Sequence, residues 1–508
     1  MSVPYILLQT IVVPLVATGV VYLLHARLGR RVGWVAFVAL FYTSALLVLV
    51  GSGIYAGGKQ VEEYYPWAPS VGLTFGFLAD NLSLPVALIM SLVCTATAVY
   101  SMPYMKHRLE VMFGKERSQQ YALYYVNFLL LAVGLIGVSL STNLIELYMF
   151  VELMLIPSFF LMSLFGYVDR ERIAVMYFIW NHLGAFLFLA GVILVFAVTG
   201  SFDVTALADP RLVDPRHGTL GYWVAGLILV GWLVKMAVFG LHMWLPYAHA
   251  EHPTSFAPIM ATIVGVGNYV LARLLLSEMP GFFQPFAFPL MVMALITMVY
   301  GGAVTLVQDD VKYLYAWSTI SQNAYSLLGL GSFTVFGVSG GVFYFLSHIV
   351  GKCVLFSVAG IVLAQTGVRD IRKMGGLASK MPLTATLCVL GTLILSAVPP
   401  LSGFQAEWIM FVGIFTQGTL GTSANLTVAV LGIIGTTLTV GYTFWPLRKI
   451  FFGPLPQTLG EVHEAPMTMI APLFALTVIM VVVGIYPDLL LKFLSSYASG
   501  LPLRGGLA

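Results

Sequence analysis

Charge is what this chain has least of. Only 9% of its 508 residues are Asp, Glu, Lys or Arg, against roughly 25% in an ordinary soluble domain. The formal net charge is +3, too small and dispersed a surplus to make a nucleic-acid footprint. Cysteine is nearly absent. Cys94, Cys353 and Cys388 stand singly in apolar runs without CxxC spacing, which excludes a disulfide framework and offers no ligand set for an iron–sulfur cluster or zinc. No small-residue cleavage site follows the first apolar run, Tyr5 to Leu24. Arg27, Arg30 and Arg31 follow it instead, so the run reads as a retained helix and not a leader. No linker or composition shift marks off a soluble domain.

What the chain has is apolar length. With 59% apolar residues and a mean hydropathy of +0.94 it is an integral membrane protein. A hydrocarbon core of about 30 Å takes about 20 helical residues, and about fourteen such runs can be placed: 4–24, 32–53, 80–103, 121–140, 143–166, 173–199, 222–245, 256–277, 286–308, 312–333, 336–364, 382–418, 426–450 and 468–496. The fold class is therefore an all-α polytopic bundle, one membrane domain over 1–508. Its longest connections are 54–79 and 200–221.

Most of the 24 Lys and Arg residues fall on one face when loops are assigned to alternate sides, among them Arg27, Arg30, Arg31, Lys106, Arg108, Lys115, Lys312, Arg369 and Arg372. Lys59, Arg211, Arg216, Arg273, Lys492 and Arg504 lie on or near the other. The positive-inside rule makes the first face cytoplasmic and puts both termini outside. Lys235 and Lys352 belong to neither group, because they sit deep in spans.

A charge at the bilayer centre costs about 2.5–3.5 kcal/mol even on the lenient insertion scale. Yet "YMFVELMLIPSFF" carries Glu152 and "PPLSGFQAEWIMF" carries Glu407, and the spans also hold Glu146, His182, His242 and His348. Intramembrane ionisable groups of both signs mark ion pathways or proton relays that face the bundle interior and pair with one another. Glu152 is expected to pair with Lys235. Lys235 and His242, seven apart, share a face if their helix is continuous, and His348 and Lys352 are adjacent at i, i+4. Burial brings the proton affinities of lysine and glutamate towards each other, which suits such groups to exchange protons.

Two spans are interrupted: "FGLHMWLPYAHAEHP" by Gly240 and Pro246, and "AVPPLSGF" by Pro399, Pro400 and Gly403. Interrupted segments at corresponding places in two halves point to an inverted repeat around a midplane site. Helices four to eight would mirror nine to thirteen, with helices seven and twelve broken. That divides the chain into an N-terminal segment 1–120, half-channel repeats 121–277 and 286–450, and a C-terminal helix within 466–508.

The ordered segments "FVELMLIPS", "VKMAVFGLHMWLPYAHAEHPT", "QDDVKYLYAWSTISQ", "SHIVGKCVLF", "RDIRKMGGLASKMP" and "VPPLSGFQAEW" resemble the antiporter-like subunits of respiratory complex I, over roughly residues 80–450. The span count and the position of the termini are similar to its subunit M branch, which includes archaeal F420H2- or ferredoxin-linked versions. The resemblance implies a proton-translocating subunit of a quinone oxidoreductase in a prokaryotic plasma membrane. It implies no redox centre in this chain; iron–sulfur clusters, flavin and quinone would belong to partner subunits. The partners it implies are other membrane subunits, including neighbouring antiporter-like ones, and lipid. It carries proton-relay roles to Glu152, Lys235, His242, His348, Lys352 and Glu407.

There are two departures. Ala237 and Gly240 stand where the family usually has prolines. The eighth helix, "MATIVGVGNYVLAR", lacks the family's lysine or histidine near Val266. Two replacements are open, a water chain beside Gly265, Gly267 and Asn268, or Lys352 as the central proton store, and the reading favours Lys352. The histidine-rich stretch His242, His249, Glu251, His252 lacks metal-site spacing, and "GVGNY" follows no strand, so it is not a dinucleotide loop. The same motifs occur in multisubunit cation/proton antiporters and membrane-bound hydrogenases, which remain the alternatives.

Overall fold

The computed structural model describes residues 3–68, 70, 73–114, 117–213, 218–420 and 423–503. Lys115, Arg216 and Arg504, used above for orientation, lie outside the described residues. In chain order the helices are α1 (Ile6–Leu28), α2 (Val32–Tyr55), α3 (Ser83–Phe113), α4 (Ser118–Leu140), α5 (Leu144–Phe165), α6 (Arg170–Thr199), α7 (Leu220–Lys235), α8 (Leu245–Glu251), α9 (Ala257–Val270), α10 (Pro280–Leu306), α11 (Val311–Gly331), α12 (Val335–Thr366), α13 (Pro382–Leu395), α14 (Ser402–Leu420), α15 (Ser423–Phe451), α16 (Met467–Ile485) and α17 (Asp488–Ser499). Ten helical stretches among the described residues are long and apolar enough to cross a membrane; α1 and α2, joined by one 3-10 turn, count as one of them. The chain is an all-α membrane protein.

The expected runs are present, with differences that have physical causes. The connection 54–79 is not an irregular loop. It forms an antiparallel hairpin of β1 (Val61–Ala68) and β2 (Leu73–Ala79). The Glu63 carboxylate on β1 accepts from the Leu7 and Leu8 N–H groups at 3.0 and 2.8 Å, so the hairpin caps the positive end of α1. The last run splits into α16 and α17 at Pro487, which cannot donate to a helical ladder. α9 continues to Glu278 as a π-helical turn, Leu271–Glu278.

The two interrupted helices break alike. α7 ends at Lys235 and α13 at Leu395. Beyond each end an alanine takes a left-handed conformation, Ala237 at φ 53° and Ala397 at φ 50°, a strain of order 1 kcal/mol for a residue with a Cβ. The next amide closes a wide turn in both, Val238 N–H to Leu233 O (3.4 Å) and Val398 N–H to Leu393 O (3.1 Å). Lys235 and His242 therefore do not share a helix face, because the helix that would align them has ended.

A second pair of matching features lies at helix starts. Asn143 caps α5 and Asp310 caps α11 through side-chain oxygens. Each also forms an isolated bridge, Asn143 with Asp203 and Asp310 with Asp370.

α12 and α9 occupy the centre. α9 is buried throughout, and α12 packs on α3, α9, α11, α13, α14, α16 and α17. Small residues allow close crossings where helices meet in lipid. At the α6–α7 crossing a Cβ on Gly231 would stand 2.6 Å from the Gly184 carbonyl oxygen, and the converse distance is also 2.6 Å. That approach lays the Lys235 side chain along α6. Gly231→Val should force the pair apart at about 1–3 kcal/mol and lower the thermal midpoint of the purified protein. Gly226→Val, where a Cβ meets nothing within 4 Å, should leave it unchanged.

Candidate functional site

Three groups of buried polar side chains lie along the bundle. In the first, α5 presents Glu152 and α6 presents His182, with Oε2 and Nδ1 3.3 Å apart. Lys235, 3% exposed, ends α7 and reaches the Asn181 carbonyl at 3.5 Å. The expected Glu152–Lys235 pair is thus replaced at contact distance by Glu152–His182. Lys235 feels the Glu152 charge, but its stem runs past Gly184 and its ammonium stops at backbone. His182 is held between the rings of Phe178 and Phe186. The Glu152 and His182 side chains are partly exposed, at 15% and 28%, so this end of the site reaches the surface.

The second group lies around α8, α11 and α12. Lys352 is fully buried and donates to the Tyr315 carbonyl at 3.3 Å and to the Ser318 hydroxyl. His348, one turn away, has an unpartnered Nε2. His249, passed over in the sequence because its neighbours had no metal spacing, is fully buried on α8 with neither ring nitrogen partnered. It stacks on Phe356, centroids 4.8 Å apart, and the charges acting on it are His252, Lys352, Lys312 and His348. Lys312 is no loop residue. It is fully buried and donates to the His252 carbonyl at 2.6 Å, its ammonium 4.1 Å from the Tyr167 ring centroid.

Side chains crowd the eighth-helix glycines. A Cβ on Gly265 would lie 2.5 Å from the Phe345 ring, and one on Gly267 would lie 2.4 Å from the Met236 side chain. The space imagined for a water chain is filled by side chains from α12 and from the break after α7. The polar link there is amide to amide: Asn268 Nδ2 donates to Asn323 Oδ1 at 2.8 Å, and Asn323 Nδ2 donates to the Met236 carbonyl at 3.1 Å.

His242 is 4% exposed and packs against Tyr300 and Trp317. Its Nδ1 accepts from the Gly240 N–H at 3.2 Å, and its Nε2 is unpartnered.

The third group centres on Glu407 of α14, whose charge acts on Tyr325, Tyr344 and Tyr442. These phenols belong to one network. Tyr344 donates to Gln322 Oε1 at 2.5 Å, Gln322 Nε2 donates to Tyr442 at 2.7 Å, and Thr439 joins Tyr325 and Tyr442 at 2.7 and 3.0 Å. Glu407 also lines a groove of about 700 Å³ with Trp408, Phe411 and Thr436. Gln322, Tyr344 and the two asparagines were not singled out in the sequence. Neutral polar residues on buried helices give no periodic signal, and only their convergence identifies them.

Buried polar atoms in native proteins almost always have a partner, protein or water. The unpartnered atoms of His249, His252, Glu251, His348 and Asn268 are therefore places for ordered water. Titratable groups, amides, phenols and ordered water are the kinds of group that can move protons. Among the described residues no cluster of His, Cys, Asp and Glu converges on a metal.

The family described as "NADH:quinone oxidoreductase/Mrp antiporter, TM" matches residues 141–439, and "NADH-Ubiquinone oxidoreductase (complex I), chain 5 N-terminus" matches 67–111. The "NAD(P)H-quinone oxidoreductase chain 4 2" of Synechococcus sp. (strain JA-3-3Ab) is 31% identical over 479 residues, covering 91% of this chain and 85% of that one. The "NADH-quinone oxidoreductase subunit M" of Rickettsia prowazekii is 27% identical over 89% and 88%. In fold, the chain is similar to one in the Mrp complex from Dietzia sp. DQ12-45-1b, with a TM-score of 0.85, 22% identity and 98% of each chain covered. The chain belongs to the NADH:quinone oxidoreductase/Mrp antiporter transmembrane family.

Proposed function

We propose that this protein is a proton-translocating membrane subunit of a complex I-type quinone oxidoreductase. The observation that carries this is the set of ionisable groups within the spans, Glu152–His182, Lys235, His249, Lys352 and Glu407, in a bundle with two helices that break in the same way. The matching turns at Ala237 and Ala397 and the matching bridges at Asn143 and Asp310 support two inverted repeats over 121–277 and 286–450. Fourteen crossings follow when α1 and α2 are counted separately and α7 with α8, α13 with α14, and the less apolar α11 are added. The face carrying Arg27, Arg31, Arg108 and Arg369 is cytoplasmic, and both termini are outside, in a prokaryotic plasma membrane.

The subunit holds no redox centre in this reading. Flavin, iron–sulfur clusters and quinone sit in partner subunits, whose conformational work reaches this one through its lateral faces. The electrostatic switch is Lys235. Drawing Glu152 towards His182 weakens its hold on the ammonium, and the lysine then gives its proton towards the centre. His242 stands beside the break to receive it. At the centre Lys352 is fixed by two acceptors, while His249 has none in the protein and exchanges only with water. The shared likeness to an Mrp complex favours one second reading, a cation/proton antiporter subunit without a redox partner.

Proton uptake by vesicles containing the purified complex tests the first reading. Quinone reduction should drive it without sodium; uptake that needs an imposed sodium gradient would support the second. Glu152→Gln should keep assembly and cut pumping at least about tenfold, the scale on which buried charge pairs act, whereas Lys106→Ala on the exposed surface should leave pumping unchanged.

His249→Asn and Lys352→Met should each stop pumping, because neither replacement carries a proton near neutral pH. Measured pumping in either variant at the rate of the unaltered complex would remove that residue from the path.

A further inference from the structure

The outer half of α9 serves none of the steps above, yet it carries two sets of polar contacts, one at the first helix break and one at the sparsely basic face. Asn323 ties the Met236 carbonyl to Asn268. Asn268 is fully buried and its Oδ1 has no protein partner, a place for a water. The next residue, Tyr269, donates its hydroxyl to the Ser139 carbonyl at 2.6 Å, and Arg273, one turn further, reaches the same hydroxyl through Nε at 3.5 Å. Arg273 Nη2 then meets Asp80 Oδ1 at 2.7 Å.

Beyond that ion pair the protein is hollow on both sides. A cavity of about 430 Å³ is lined by Asp80, Asn81, Lys492 and Tyr497. A second of about 90 Å³ is lined by Arg273, Tyr269, Thr142, Asp203 and Glu278. One partner of the pair faces each cavity, so the ion pair is the wall between them. At about 30 Å³ per water even the smaller has room for a short chain. The helix carrying Arg273 is π-helical from Leu271 to Glu278, a form common at functional sites.

The geometry points to a proton outlet along α9, running from the break at Met236 to the outer face and gated by the Asp80–Arg273 pair. This outlet rests on the proton-translocating function proposed above. The pair blocks the way while both groups are charged, because a guanidinium at the narrowest point repels a proton approaching through water. Burial alone would push the Asp80 carboxyl up; Arg273 and the Ser83 and Leu82 N–H groups hold it below the usual carboxylate range. A proton arriving through the Asn268 water and Tyr269 forms an O–H bond on Asp80 and cancels its charge. Arg273 keeps its own charge and turns towards Asp203 and Glu278 in the smaller cavity. The carboxylic acid then releases the proton to water in the larger cavity, and the ion pair re-forms. One proton enters and one leaves, with no other reactant.

Vesicles containing the whole complex test this. Asp80→Asn keeps an acceptor for the Leu82 and Ser83 amides but removes the charge. With electron input blocked, its passive proton leak should rise at least about tenfold, well within the effect of a lost buried charge partner; with electron input restored, quinone reduction should proceed as in the unaltered complex. Arg273→Lys should stay tight. A second variant carrying Asp80→Cys and Arg273→Cys, bridged by a cleavable bifunctional thiol reagent, should release no protons until the bridge is cut. Cys94, Cys353 and Cys388 are all buried and do not compete.

A bridged protein that pumps at full rate would overturn the gate. So would an Asp80→Asn leak that Arg273→Lys shows equally, since that is loosened packing. An unaltered complex that pumps nothing overturns the function itself, a result separate from either of these.

Discussion

A helix that stops inside hydrocarbon leaves polar backbone groups that only protein or water can satisfy, and α7 stops at Lys235. The rest of the site follows from that stop. The freed Met236 carbonyl takes Asn323 as a donor, which fixes α11 against the break, and Asn323 in turn takes Asn268, which fixes α9. The Trp244 indole, beyond the break, donates back to the Val234 carbonyl at 3.1 Å. The strained turn at Ala237 persists because packing on every side overdetermines it. The lysine is the last residue with regular helical bonding, so its ammonium lies where the backbone is already polar.

The second break repeats the turn but not the chemistry. Ser402, the first residue of α14, shares a hydrogen bond of 2.8 Å with Ser347 of α12, and Glu407 follows one and a half turns later. One half of the protein therefore carries a buried lysine at its break and the other a half-buried glutamate beyond its own. Between them, α12 supplies His348 and Lys352, and α8 supplies His249. Both lysines donate to backbone carbonyls of neighbouring helices, which compensates burial without neutralising the charge. An ammonium held in this way can lose its proton without breaking up the fold.

Burial on this scale also explains the aromatic content. Tyr325, Tyr344 and Tyr442 bring apolar bodies into the bundle with hydroxyls that can both donate and accept. They can pass a hydrogen bond along without adding a charge. Phe345 and Met236 do the reverse, sealing the ground beside Gly265 and Gly267. At the middle of the eighth helix this chain has a closed apolar contact in place of a basic side chain.

The amino-acid sequence by itself determined the membrane-spanning class, nearly every helix and the location of both breaks, and it placed six ionisable residues in or beside the spans. Each of these depends on local properties: apolar run length, glycine and proline at a break, or a charge where none is tolerated without a function. The partners of those charges were decided only by the tertiary structure. His182 rather than Lys235 meets Glu152 because α5 and α6 pack face to face while Gly184 and Gly231 draw α7 alongside. Lys312 looked like a loop residue from its place between two apolar runs, and the packing of α8 and α11 buried it. His249 was passed over, since only the tertiary packing leaves its ring buried without a partner. Local chemistry is written in neighbouring residues, whereas pairing across the bundle depends on how closely helices approach, which is set by side chains far apart in the chain.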